Sequence, residues 1–399
     1  MNTEALRTVA ATYGTPTYIF DVREVEARIR LLRSLLPEDT GLCFAVKANP
    51  FLIPYVADLV DRLEVCSPGE YEICIQEQIA PEKIVVSGVN KTYESMKRIL
   101  SYSKGAGIYT IESEEHAKIL RTLAEKNQMP LSVLIRLSSG NQFGVDAETF
   151  LRLAKEIQES PYLTLAGVHY YAGTQKRQSK LEKELDTLTA FAKTFEEETG
   201  TVLNELEYGA GMKVSYFIND SEKDQRESEP EPQIQALAEK LRTCAYGKKT
   251  IELGRFLVSM SGYYLTRVMD VKRTAQPGFL ILDGGIHQIN YYGWMMGMKQ
   301  PEIEVLAEKD GDEELFHLCG SLCTVNDVLA RDVALHDPQK GDVICFKRCG
   351  AYAATEGMAM FLSRELPQVL ICKTDGKIEK LRDQMETYLF HVGGNWNRM

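Results

Sequence analysis

The chain reads as an α/β protein: a (β/α)8 TIM-like barrel followed by a mainly β domain. Three observations point there. Short apolar runs alternate with amphipathic stretches through the first two thirds of the chain. Eight such runs fall within roughly 230 residues, the strand count and span of a barrel. Past Arg255 the alternation stops, and apolar runs separated by turns take over. A doubly wound open sheet is the alternative, but no Gly-x-Gly-x-x-Gly turn opens a strand–helix unit.

Thr17–Asp21 is β-like and precedes the barrel. It can pair with the later β domain, which makes that domain discontinuous: residues 1–20 and 256–399 around a barrel of 21–255. Barrel strands are expected at Leu42–Val46, Leu63–Cys66, Ile84–Val86, Gly107–Thr110, Leu131–Arg136, Leu165–Tyr171, Leu203–Tyr208 and Lys249–Glu252. Helices fall between them, as at Gly69–Glu77, Ser113–Lys126 and Ala147–Glu159. Ser113 suits an N-cap, with Glu114 and Glu115 in the first turn behind it. Asn219–Gln233 is dense in charge and proline and reads as a solvated loop, with a mobile lid as the alternative. Leu257–Val271, Phe279–Asp283, Asp342–Lys347 and Val369–Lys373 read as strands of the second domain.

At 399 residues the chain is too long for one ordinary core, so two domains are expected. Hydrophobic content of 44% and charge of 26% are ordinary for a globular protein. The longest apolar stretches are strand length, so no membrane span is expected. No charged start leads into an apolar core at Met1, so a cytoplasmic protein is expected. The net charge of −11 argues against a nucleic-acid partner. The nine cysteines should be reduced. Cys319-x3-Cys323 and Cys345-x3-Cys349 lack CxxC spacing and have no histidine pair beside them, so no metal site is expected. The tail Thr387–Met399, rich in Gly, Asn and aromatics, has no role that the sequence assigns.

In a barrel, chemistry sits where strands run out into loops at the C-terminal face. Cys43-Phe44-Ala45-Val46-Lys47-Ala48-Asn49-Pro50 delivers one lysine to a strand end. A buried lysine has a lowered pKa and can form an imine with a carbonyl cofactor; a hydrated strand-end lysine is the plainer alternative. Gly209-Ala210-Gly211 bares the backbone at a strand exit, suited to a phosphate or to an ordinary tight turn. Arg255 offers a cationic fork for the same phosphate, or a surface salt bridge. Glu252 can hold a ring nitrogen protonated, or pair with Arg255. His169 and Tyr171 lie two apart on a strand and share a face, where either ring can stack on a flat cofactor or simply pack. Together these residues supply what pyridoxal 5'-phosphate needs.

With these residues in view, the chain resembles the fold-type III pyridoxal-phosphate decarboxylases, the diaminopimelate, ornithine and arginine decarboxylase group, with its alanine-racemase-like barrel. Phe44-Ala45-Val46-Lys47-Ala48-Asn49 is similar to the family's cofactor-lysine motif. Glu252-Leu253-Gly254-Arg255 resembles its Glu-Pro-Gly-Arg, and Gly209-Ala210-Gly211 its triple-glycine phosphate loop. Cys319-Gly320-Ser321-Leu322-Cys323-Thr324-Val325-Asn326-Asp327 resembles its catalytic-cysteine segment, and Gly350-Ala351-Tyr352 its late Gly-Ala-Tyr. The resemblance implies that Lys47 holds the cofactor and later returns a proton, and that Glu252 binds the pyridinium. It implies that Gly211, Arg255, Thr174 and Tyr352 hold the phosphate, with Gly209 and Gly254 also binding the cofactor. His169 and Tyr171 would lie against the ring. Cys323, Thr324 and Asp327 would come from the second subunit of a homodimer, with Cys323 protonating the carbanion. Glu64 and Glu70 match supporting acidic residues.

Departures bear on the substrate. The family's His-x-His-x-Gly-Ser is here His169-Tyr170-Tyr171-Ala172-Gly173-Thr174, so Tyr171 stands where the stacking histidine is usual. Diaminopimelate decarboxylases carry an arginine after Asp-Gly-Gly and a glutamate after the catalytic cysteine. Asp283–Gly293 has no arginine, and Thr324 follows Cys323. A site without partners for a charged substrate end binds that end poorly. A neutral or tethered distal group is therefore expected. Thr324 and the His-aromatic-aromatic-Ala-Gly-Thr run resemble a subgroup acting on amino acids carried on other molecules, such as the glutamyl-carrier-protein decarboxylase of butirosin biosynthesis. The alternatives are meso-diaminopimelate decarboxylation, an amino-acid racemase, and a non-catalytic cofactor carrier. The cysteine segment argues against the racemase, and the second domain against the carrier.

Overall fold

The computed structural model describes residues 1–274, 276–291 and 297–393. The chain divides into two units, one of Met1–Val25, Ser215–Glu222 and Val258–Met399, the other of Glu26–Val214 and Lys223–Leu257.

The second unit is a closed parallel barrel of eight strands. They are β2 (Thr40–Ala45), β3 (Arg62–Val65), β4 (Ile84–Val86), β5 (Ile108–Ile111), β6 (Leu131–Arg136), β7 (Leu163–Tyr171), β8 (Glu205–Gly209) and β9 (Lys248–Leu253). Each expected barrel strand is present, with ends shifted by a residue or two. Closure pairs β2 with β9 through Cys43↔Glu252 and Phe44↔Leu253, which puts Lys47 and Glu252 at one end of the barrel.

Helix starts follow the side chains available. Ser113 caps α6 (Glu114–Asn127), its hydroxyl accepting from His116 N. Asp146 caps α7 (Ala147–Gln158) in the same way through Thr149 N. α7 turns Phe150, Leu153, Ala154 and Ile157 inward, each large apolar side chain contributing about 1.5–3 kcal/mol on burial. Phe150 meets the Phe191 ring edge-on at 5.0 Å, a residue of α8 (Gln178–Thr199).

Asn219–Gln233 is not a loop throughout. It holds α9 (Glu222–Glu227) and the start of α10 (Pro230–Thr243). Pro230 occupies the first helical turn, where its missing N–H costs nothing. Lys213 ties down α9 through Asp224 and through Glu227 at 2.9 Å. Glu222, Lys223, Arg226, Glu229 and Glu231 stay exposed, so the segment is solvated as expected but partly helical.

The first unit is built on a nine-stranded sheet. β1 (Thr17–Asp21) pairs antiparallel with β10 (Gly262–Lys272) and parallel with β16 (Gln368–Cys372), so the N-terminal segment does join the later strands. β11 (Gly278–Leu282), β13 (Glu313–Cys319) and β14 (Val328–His336) continue one side; β12 (Ile303–Val305), β15 (Val343–Lys347) and β17 (Ile378–Arg382) complete the sheet. Helix α1 (Thr3–Tyr13) places Leu6, Val9 and Ala10 in a cluster with Ile19, Leu265 and Leu370. The expected strand at Leu257–Val271 starts later, because residues 255–258 form the short helix α11 (Arg255–Val258).

Candidate active site

β2 ends at Ala45, and Val46–Ala48 then form a single 3-10 turn. That turn carries Lys47 off the strand with its side chain 35% exposed, while its acidic neighbours are almost fully buried. Lys47 Nζ donates to Glu64 Oε2 at 2.7 Å and to Cys66 Sγ at 3.4 Å, and lies 3.8 Å from Glu252 Oε1. Cys66 Sγ donates to the other Glu64 oxygen at 2.9 Å. Burial, then the Glu64 carboxylate, push the Cys66 thiol well above the ordinary thiol range. Glu70, the third residue of α4 (Pro68–Gln76), accepts from Cys66 N at 2.6 Å and so fixes the chain leaving β3.

Glu252 pairs with Lys47 and His169, not with Arg255 as one reading of the sequence allowed. His169 Nε2 donates to Glu252 Oε2 at 3.0 Å. Burial alone would raise the Glu252 carboxyl. The Lys47 ammonium and the His169 bond overcome it and hold the group low, at about 2. It is therefore an ionised, buried acceptor. Tyr171, two residues on from His169, is half-buried, and Gly209 passes directly beneath it. A Cβ on Gly209 would sit 2.4 Å from the Tyr171 ring.

Gly211 has φ +58°, and a Cβ there would lie 2.2 Å from the Gly173 carbonyl. The turn Gly209-Ala210-Gly211 is thus bare by steric necessity. Thr174 and Gly254 are half-buried in the loops after β7 and β9, and Arg255 opens α11. These features fit pyridoxal phosphate: a reachable amine, an ionised buried carboxylate for a ring N–H, an aromatic face, and a glycine turn without side chains at Gly209 and Gly211.

The remaining expected residues lie in the first unit. Cys323 is exposed and Thr324 half-buried, while Tyr352 has a left-handed backbone at φ +65°. Asp327, expected as a substrate contact, is buried in the same loop. It is 2% exposed, and its carboxylate accepts from Ile286 N at 2.8 Å and Leu322 N at 2.7 Å. Its work is to shape the loop that carries Cys323. Tyr292 and Gly293, which end the segment Asp283–Gly293, and the last six residues of the tail lie outside the described residues.

Sequence reasoning missed a second charged cluster. Arg136, at the end of β6, donates to Glu112 at 3.0 Å, and Lys91 lies 3.8 Å from the other Glu112 oxygen. Burial pulls the Lys91 amine down to about 8. At the starts of β3 and β8, Arg62 donates to Glu205 and, at 2.8 Å, to Glu207. The available signal was a charged residue closing an apolar run, as in Leu131–Arg136.

Residues 22–259 match the family described as pyridoxal-dependent decarboxylase, pyridoxal binding domain. Diaminopimelate decarboxylase of Actinosynnema pretiosum subsp. auranticum is 30% identical over 369 residues, 86% of this chain and 81% of that protein. The L-glutamyl-(BtrI acyl-carrier protein) decarboxylase of Niallia circulans is 26% identical over 413 residues, 96% of this chain and 94% of that one. The fold is shared with crystalline diaminopimelate decarboxylase of M. jannaschii in complex with L-lysine, at TM-score 0.83 and 22% identity, covering 94% of this chain and 91% of that chain. The chain belongs to the pyridoxal-dependent decarboxylases and is a pyridoxal-phosphate-dependent amino-acid decarboxylase.

Proposed function

We propose that this enzyme removes the α-carboxylate of an amino acid whose distal end is neutral or tethered, such as a glutamyl group carried as a thioester. The observation that carries the reading of the site is Lys47 Nζ held between Glu64 at 2.7 Å and Glu252 at 3.8 Å at the strand ends of the barrel. Lys47 is the amine that anchors the cofactor. Glu252 accepts the ring N–H, and His169 keeps the carboxylate aimed. With the His169 ring committed to Glu252, Tyr171 is the ring that stacks. Gly209, Gly211, Gly254, Arg255, Thr174 and Tyr352 hold the phosphate. When bound, the cofactor supplies a conjugated ring that takes up the electron pair left as CO2 departs. The barrel of 21–255 carries the cofactor. Residues 1–20 and 256–399 supply Cys323, Thr324 and Asp327 to the site of the second copy in a cytoplasmic homodimer, where Cys323 protonates Cα.

Thr324 after Cys323 and the absence of arginine from Asp283–Gly293 favour the uncharged or tethered distal group. So does the near full-length match to a decarboxylase named for a glutamyl carrier protein. The second reading is meso-diaminopimelate, favoured by the relative at 30% identity. Absorbance before and after borohydride, with peptide mapping, tests the site: a pyridoxyl group on Lys47 is expected, and a label elsewhere refutes it. Carbon dioxide release from diaminopimelate, lysine, ornithine, citrulline and carrier-bound glutamyl thioester then decides the substrate. Turnover confined to diaminopimelate refutes the tethered reading and leaves the cofactor site standing.

A further inference from the structure

Between β7 and α8 the barrel buries a lysine that has no part in the chemistry above. The Lys176 side chain is 1% exposed. Its ammonium donates to Glu184 Oε2 at 2.7 Å and to the Gly209 carbonyl at 2.9 Å. Its backbone N–H donates to the Gly211 carbonyl at 2.9 Å. One residue therefore ties both glycine carbonyls of the turn Gly209-Ala210-Gly211. The anchor is itself fixed, because Tyr208 OH donates to the same Glu184 oxygen at 2.7 Å. The ammonium also lies 5.6 Å from the centre of the Tyr171 ring and 5.1 Å from that of Tyr208.

The geometry has a consequence for the turn. In a trans peptide the carbonyl and the following N–H point in opposite directions. Carbonyls of Gly209 and Gly211 drawn to Lys176 turn the N–H groups of Ala210 and Met212 to the other side. A row of amide hydrogens on one side of a glycine turn is an anion cradle. The Lys176–Glu184 pair carries no net charge, so its part at the turn is to fix the backbone, with the positive end of the pair toward the Gly209 carbonyl. A side chain at Gly211 would stand 3.0 Å from Lys176 Cε, so the turn and Lys176 are packed close together.

We propose that Lys176 is a positioning residue for the cofactor phosphate: it braces the glycine turn with its amides on the phosphate side and sets the Tyr171 ring over a fixed cation. The proposal rests on the reading of that turn as the phosphate site. The test compares the affinity of apoenzyme for pyridoxal phosphate with that for pyridoxal, which lacks the phosphate. Lys176→Met alone leaves the Glu184 charge buried and unpaired, so the informative variant is Lys176→Met with Glu184→Gln. Loss of one charge-assisted hydrogen bond corresponds to about tenfold or more in pyridoxal-phosphate affinity, with pyridoxal changed less than about threefold. A folded double variant that keeps the wild-type preference overturns the proposal, and so does an equal loss for both ligands. Wild-type apoenzyme that shows no preference for pyridoxal phosphate refutes the phosphate-turn reading itself, whatever the variant does. A second measurement needs no substitution. In wild-type apoenzyme carrying 15N-alanine and 15N-methionine, inorganic phosphate should shift the Ala210 or Met212 amide resonance, and unmoved resonances overturn the proposal.

Discussion

Gly211→Ala separates backbone strain from damage to the cofactor site. Gly211 has φ +58°, so alanine there loses about 1–2 kcal/mol to the left-handed conformation alone. Its Cβ would also fall 2.2 Å from the Gly173 carbonyl oxygen. Carbon and oxygen settle at about 3.3 Å, so one of the two loops must retreat by about 1 Å. Both loops belong to the proposed phosphate turn, and a displacement of about 1 Å at a positioning group costs about a hundredfold. Gly200→Ala is the control. Gly200 has φ +68° at the end of α8, and nothing stands within 4 Å of its added Cβ. It should lose the same strain energy while binding pyridoxal phosphate as wild type does. The assays are thermal melting and cofactor titration of the apoenzyme. Gly211→Ala binding within about threefold of wild type would refute the steric reasoning, because the strain term alone predicts no selective loss.

Glu252→Gln removes the ionised acceptor while keeping its shape, and kcat for CO2 release should fall by about a hundredfold or more; a wild-type kcat contradicts the ring-nitrogen role. Cys323→Ala should slow product formation or scramble deuterium at Cα in D2O, and an unchanged rate and stereochemistry would remove Cys323 from the mechanism. Glu207 gives a pH signature: burial pushes its carboxyl from 4.5 up to about 7, despite the opposing Arg62. The folded state then keeps a proton that the unfolded chain has released, so stability relative to Glu207→Gln falls as pH rises through that window. Urea unfolding of both proteins at about pH 5 and about pH 7.5 measures it, and a difference independent of pH means Glu207 titrates normally.

The barrel and the lysine were readable because both announce themselves locally. Eight apolar runs of strand length need only counting, and Lys47 follows one of them directly. The first unit was less readable: Glu313–Cys319 and Val328–His336 alternate buried with exposed residues, so neither reads as a continuous apolar run. Asn219–Gln233 misled for a related reason. Its charges are mostly solvated, but two of them pair with Lys213, which precedes them in the chain, and the segment is partly helical. The polar interior depends on register that no short window contains. Arg136 meets Glu112 only because β5 and β6 pair in parallel with Ile111 opposite Ile135. Lys176 is the sharpest case. In Gln175-Lys176-Arg177-Gln178 it looks like one more surface charge, and its neighbours are indeed exposed or half-buried. What buries it is a glycine turn thirty-odd residues later, brought alongside by the pairing of β7 with β8. A lysine at a strand end can be found by the composition around it. A lysine bonded to another loop, as Lys176 is to Gly209, can be found only after the barrel has closed, which is why such contacts escape a reading of sequence that finds strand ends.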